Sequence, residues 1–159
     1  MIRAATAADA GAIAAVQARA WRHAYDDIVA PEDMPDPATK EPEWRDRIAD
    51  PAIGALVFEN DGSVAGFAAF GASRDADARE RTAELYAIYV DPAAQGAGVG
   101  SALIEAAVEG LAARRFADAM LWTLQGNGLG RAFYERHGWT LDDGALQHDP
   151  PEVRYRRTL

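Results

Sequence analysis

Cysteine is absent from the 159 residues, which excludes disulfides, thiolate metal sites and a cysteine acyl-enzyme. Histidine is scarce. His23, His137 and His148 lie far apart, with no His-Glu-x-x-His pair to seat a metal, and no metal is expected. Ser63, Ser73 and Ser101 all stand outside a Gly-x-Ser-x-Gly context, so a nucleophile elbow is missing. No apolar run is long enough to span a bilayer, and Met1-Ile2-Arg3-Ala4-Ala5-Thr6 has no apolar signal core. The expected compartment is the cytosol. Positive charge is in deficit, with 16 basic against 25 acidic residues and a formal net charge of -9. Such a surface repels phosphodiester backbones and anionic membranes, so neither is an expected partner. It is compatible with a cationic amine substrate.

An apolar content of 49% with 26% charged residues is ordinary for a globular protein. The length suffices for one compact domain over residues 1–159, burying about 70% of its unfolded surface. Its organising stretch is Glu84-Leu85-Tyr86-Ala87-Ile88-Tyr89-Val90-Asp91-Pro92-Ala93-Ala94-Gln95-Gly96-Ala97-Gly98-Val99-Gly100-Ser101. Ala83 to Val90 is rich in β-branched and aromatic residues, with no breaker before Asp91-Pro92, and reads as a strand. From Val99 the apolar residues recur at helical spacing through Leu103, Ala107 and Leu111. Glycines ahead of a helix let the backbone approach a ligand and leave first-turn N–H groups unpaired. With the positive end of the helix dipole, those donors suit phosphate. The plainer alternative is a strand-to-helix turn and nothing more.

Three phosphate-binding patterns compete for these glycines. A Walker loop needs Gly-Lys-Ser/Thr at the helix start, and Gly100 is followed by Ser101 with no lysine. A dinucleotide fingerprint needs G-x-G-x-x-G early in a βαβ unit. Here the spacing is G-x-G-x-G past the middle of the chain, although Asp118 lies near the distance expected of a ribose-binding acid. Gln95-Gly96-Ala97-Gly98-Val99-Gly100 is similar to the Q/R-x-x-G-x-G/A signature of the GNAT superfamily, the acyl-CoA-dependent N-acyltransferases. A second segment resembles the same superfamily: strand-like Ala119-Met120-Leu121-Trp122-Thr123-Leu124, then Asn127, then Phe133-Tyr134-Glu135-Arg136-His137-Gly138-Trp139. The two motifs come in the family's order and with family-like separation. The resemblance covers essentially the whole chain.

The rest of the chain reads as alternating elements. Ile2 to Ala4 is a short strand, and Thr6-Ala7-Ala8-Asp9 starts a helix in the manner of a capping box. Ile13, Val16 and Ala20 form one stripe of that helix, while Gln17, Trp21 and Tyr25 lie on another face. Four prolines between Pro31 and Pro42 predict a loop, with Pro42 opening a short helix that carries Trp44 and Ile48. Leu56–Glu59 and Val64–Phe70 flank the hairpin turn Asn60-Asp61-Gly62-Ser63, and residues 71–81 are polar and loop-like. A strand from Trp139, a loop through Pro150-Pro151 and an alternating strand from Glu152 to Arg157 complete the chain. Propensity alone gives α/β or α+β. The resemblance implies the GNAT fold, a central mixed, mostly antiparallel sheet of about 6–7 strands with helices on both faces.

The resemblance also implies roles. Ile88, Tyr89 and Val90 would offer backbone groups to a pantetheine, and Gln95, Gly96, Ala97, Gly98, Val99, Gly100 and Ser101 would receive a diphosphate through backbone N–H groups. Asn127, which can equally serve as a helix N-cap, would contact the cofactor. Tyr134 falls at the family's acid position and would also contact the cofactor, and a phenol with a pKa of about 10 is protonated at neutral pH. It is rotated about 100° from the stripe of Leu129 and Phe133. Glu84 stands where several members carry a catalytic base, sharing a face with Tyr86 and Ile88 by the period-two rule, and otherwise is a solvated strand-edge acid. Peptide-acetylating relatives use a glutamate on the next strand. Trp122-Thr123-Leu124 lies there instead.

The implied activity is transfer of acetyl from acetyl-CoA to a primary amine, of a small molecule or a peptide, by direct attack in a ternary complex. The alternative is an acyl-CoA-binding module without turnover. Trp21, Arg22, His23, Tyr25, Trp44, Ser73, Arg74 and Asp75 are candidates for the acceptor pocket. Core packing is the alternative for the two tryptophans, and loop solubility for Asp75 and Asp77. A homodimer is compatible with the resemblance.

Overall fold

The computed structural model describes every residue except His148, and the side chains of residues 143–148 also lie outside the description. His148, named above, therefore falls outside the described residues. The elements run β1 (Ile2–Ala4), α1 (Ala10–Tyr25), α2 (Pro37–Ala49), β2 (Gly54–Asn60), β3 (Ser63–Ala72), β4 (Thr82–Val90), α3 (Val99–Ala113), β5 (Asp118–Leu124), α4 (Gly128–Arg136), β6 (Thr140–Gln147) and β7 (Glu152–Thr158). They build one seven-stranded sheet of order β1-β2-β3-β4-β5-β7-β6. The β4–β5 pair is parallel and the others are antiparallel. The expected sequence of elements and the mixed sheet are both present.

Each face of the sheet carries its own apolar layer. Leu103, Ile104, Ala107 and Leu111 of α3 pack with Phe70, Leu85, Leu121 and Tyr155, and Phe133 and Tyr134 of α4 lean on that layer. Ile13, Ala14 and Val16 of α1 and Trp44 of α2 pack with Val57, Phe67 and Ala87 on the other side. The stripe of Ile13, Val16 and Ala20 is thus buried as its spacing predicts.

The α2 helix starts earlier than the sequence suggests. Proline density between Pro31 and Pro42 predicts a loop, yet the helix begins at Pro37 and carries Pro42 inside it. Asp36 accepts a hydrogen bond from the Ala38 N–H (3.2 Å), and Pro37 occupies the first turn, where its missing N–H costs nothing. Trp44 is almost fully buried, edge-on to Phe67 (5.0 Å), and donates from Nε1 to Gln17 Oε1 (2.8 Å). Truncating such a side chain costs about 3–5 kcal/mol, comparable to the penalty of about 3 kcal/mol for an interior proline. Packing holds the helix past Pro42.

Candidate active site

The sheet opens where β4 meets β5. Their parallel pairing covers only Thr82–Glu84 against Asp118–Met120 among the described residues. On its other side β4 carries a bulge. Ala87 pairs with Ala69 and Leu85 with Phe70, leaving Tyr86 without a partner. The bulge breaks the period-two expectation for this strand. Tyr86 joins the α1–α2 layer, whereas Ile88 joins the α3 layer, so Glu84 shares a face with Tyr86 and not with Ile88. The parted strands enclose a cavity of about 820 Å³ lined by α1, β4, the glycine turn, β5 and α4.

The glycine turn forms one end of that cavity. Asp91 fixes its start: the carboxylate accepts from the Ala93 N–H (3.0 Å) and pairs with Arg19 of α1 (2.5 Å). Gly96 (φ +80°) and Gly98 (φ +81°) occupy the left-handed region, where a side chain is strained. A Cβ built on either would meet nothing within 4 Å, so open space faces this backbone. Gly98 is the N-cap of α3 and supplies no side-chain cap. The first-turn N–H groups of the helix are therefore left for a ligand. Gln95, Gly96, Gly98, Val99, Gly100 and Ser101 line the cavity, as do Ile88, Tyr89 and Val90. Ala97 does not. The Ser101 side chain is engaged elsewhere. His137 Nδ1 lies 2.8 Å from the Phe133 carbonyl, which can only accept, so that nitrogen carries the proton. In the neutral ring, Nε2 then accepts from Ser101 Oγ (3.1 Å).

A cluster of phenols stands where the strands part. Asn127 caps α4 through Oδ1 to the Gly130 N–H (3.0 Å), and its amide donates to Tyr25 Oη (3.0 Å) and Thr123 Oγ1 (3.2 Å). Asn127 lines the cavity while holding α4, β5 and α1 together. Tyr134 lines the same space, its ring edge-on to Phe133 (5.5 Å) and tilted against Tyr155 (6.1 Å). Its hydroxyl makes no hydrogen bond among the described residues. Burial, reinforced by Tyr25, raises its pKa well above the ordinary phenol value. Burial also pushes Tyr25 up to about 12 and raises Tyr89 further. The Trp21 indole opposes that rise at Tyr89 without reaching hydrogen-bond geometry. Leu129, expected on the Phe133 stripe, is instead exposed at the cavity mouth.

Glu84 is buried but does not line the cavity, whose β4 wall begins at Leu85. Its carboxylate accepts from the Arg74 N–H (3.0 Å), Nε (3.2 Å) and Nη2 (2.6 Å). Arg74 in turn lies over the Tyr86 ring (4.5 Å). Asp75 and Asp77 do more than solubilise their loop. Arg154 bridges Asp75 (2.9 Å), Asp77 (2.8 Å) and Asp142 (2.7 Å), and stacks on Trp122 (5.4 Å). Trp122 Nε1 donates to Asp75 (3.0 Å) and lines the cavity. Of the acceptor-pocket candidates, Trp21, His23 and Tyr25 line this cavity. Trp44 is core, and Arg22, Ser73, Arg74 and Asp75 are not in the lining. Glu152 also lines the cavity. The sequence marks it only as the first residue of an alternating strand. Among the described residues, no group of three or more His, Asp or Glu is placed to hold a metal, and no helix is long and apolar enough to cross a membrane.

The mixed sheet parts beside an uncapped helix N-terminus, which gives the cavity an anion-accepting end. The sequence profile of the acetyltransferase (GNAT) family matches residues 19–139, and the chain belongs to that family. It is 35% identical over 106 residues to a mycothiol acetyltransferase of Streptomyces griseus subsp. griseus, covering 65% of this chain and 33% of that protein. The chain thus spans about a third of that relative's length. It is 33% identical over 129 residues to the N-acetyltransferase YuaI of Bacillus subtilis, covering 79% of this chain and 72% of the other. In fold it matches the PaiA N-acetyltransferase of Thermoplasma acidophilum, solved in complex with coenzyme A. That match has a TM-score of 0.83 at 18% identity, over 100% and 98% of the two chains.

Proposed function

We propose that this protein transfers an acetyl group from acetyl-CoA to a primary amine by direct attack. The observation that carries the reading is the cavity itself, which joins unpaired helix N–H groups at one end to the Tyr134 hydroxyl. Its residues fit the cosubstrate: Gly96 and Gly98 leave open space where a diphosphate would approach, and the solved relative with coenzyme A has the same fold. Acetyl-CoA supplies an activated acyl group as a thioester. As the amine nitrogen bonds to the acyl carbon, the carbon–sulfur bond breaks, and Tyr134 gives its proton to the departing sulfur. Its raised pKa keeps that proton in place at neutral pH.

The amine's proton leaves through water. Glu84, next along β4 to the cavity-lining Leu85, is the proposed terminus of that path, which requires Arg74 to loosen its hold. Glu84→Gln should then lower kcat about 10- to 100-fold with CoA affinity retained. A loss below twofold removes Glu84 from the reaction.

The first test is a thermal shift with acetyl-CoA, CoA and ATP in parallel. Ligand at a hundred times its Kd adds about 2.7 kcal/mol, which should raise Tm by about 5–10 °C at this length. A rise with both CoA species and none with ATP supports the reading. No rise with CoA in a folded protein refutes it.

A further inference from the structure

The cavity passes through the sheet and has two ends. The α3 N-terminus stands at one. Trp21, Tyr25 and Tyr89 wall the other, with the Trp21 ring edge-on to Tyr25 (5.0 Å) and 6.4 Å from Tyr89. Among the described residues lining this space, Glu152 is the only carboxylate. Its direction follows from β7. Val153 and Tyr155 enter the α3 layer, so Glu152 projects toward the α1 side, next to its cross-strand partner Leu124. Leu124 packs with Tyr25 and Trp21, and the Glu152 charge helps raise both the Tyr25 and Tyr89 phenols. The acid thus belongs to the aromatic end.

We propose that Glu152 is the acceptor-recognising residue, pairing with the ammonium of a cationic alkyl- or arylalkylamine held against Trp21, Tyr25 and Tyr89. This rests on the acetyl-transfer reading and adds the class of acceptor. A carboxylate beside aromatic faces attracts an organic cation twice, through charge-assisted hydrogen bonds and through the ring quadrupoles. The same carboxylate repels an amine that carries its own acid next to the nitrogen, such as a free α-amino acid. It also suits a protein whose overall charge is -9.

The test is calorimetric titration of phenethylammonium and of 1,4-diaminobutane into CoA-saturated protein at pH 7, with phenylalanine as the acid-bearing counterpart. Wild type should bind at least one ammonium probe and discriminate against phenylalanine. Glu152→Gln should weaken ammonium binding about 10- to 100-fold while CoA affinity stays unchanged. Glu152→Asp, which keeps the charge, should retain most of the affinity. Equal ammonium affinity in wild type and Glu152→Gln overturns the inference. Absence of ammonium binding in a protein that binds CoA does so too, as does phenylalanine binding as tightly as phenethylammonium. Failure to bind CoA, read in the preceding titration, overturns the acetyl-transfer reading itself.

Discussion

Replacing Tyr134 by phenylalanine removes one oxygen and separates chemistry from structure. That hydroxyl makes no hydrogen bond among the described residues, and the ring contacts with Phe133 and Tyr155 do not involve it. Stability should therefore change by less than about 0.5 kcal/mol, or about 2 °C in Tm. The rate should change far more. A positioned general acid contributes about 10²–10⁴-fold, so kcat should fall in that range with KM for acetyl-CoA within about threefold. Because burial raises the phenol's pKa, the acid stays protonated below its ordinary value of about 10. Wild-type kcat should show no alkaline limb from this group below that pH. The assay is steady-state release of free CoA with a turned-over amine, alongside the thermal shift with CoA. A variant that keeps more than about a third of wild-type kcat refutes the acid role. One that loses kcat together with its CoA shift refutes it equally, because the hydroxyl would then be binding the cosubstrate. A module without turnover would show no rate to lose.

Gly98→Ala places a Cβ on a left-handed residue with no steric neighbour, so its stability cost of about 1–2 kcal/mol is all backbone. Chemical denaturation should read that loss, and the CoA-induced Tm rise should vanish with it. Arg154→Met leaves the paired Asp75, Asp77 and Asp142 facing one another, and should destabilise by about 3 kcal/mol in urea unfolding. Asp9 accepts hydrogen bonds from Arg3 and Thr6 that hold its carboxyl well below the usual range. With the folded pKa depressed, this contribution is full above the unfolded value of about 4 and is lost as pH falls. Asp9→Asn should lower Tm at pH 7 and flatten the acid limb. The raised phenols act in the opposite sense: stability should decline above about pH 10 as the unfolded chain ionises its tyrosines.

What the sequence reveals here depends on the range of the interaction. The hairpin at Asn60–Ser63 and the glycine turn before Val99 are set by neighbouring residues, and both stand where the local pattern places them. Asn127 is legible as a cap for the same reason. The extent of α2 is not, because Trp44 holds it by packing on Phe67, a residue far along the chain. Asp75 and Asp77 read as loop acids until β7 brings Arg154 beneath them, 79 and 77 residues away. Glu152 reads as an alternating strand residue until α1 arrives opposite it. Glu84 illustrates a different limit. Periodicity gives its face only while the strand stays regular, and nothing in Tyr86-Ala87 announces the extra residue.

That extra residue works like a shift of reading frame within β4. Ahead of Tyr86 the odd-numbered positions, Ala83 and Leu85, supply the α3 layer. Behind it the even-numbered Ile88 and Val90 do so. The face turned to α3 thus changes parity at the bulge, and residues of both parities from Leu85 to Val90 line the cavity. Side chains along β4 can be exchanged one at a time within each half. A lost or gained residue instead moves every later position to the wrong face, turning Tyr89 inward and Ile88 toward α1. The strand is thus more tolerant of changes in its letters than of changes in its length.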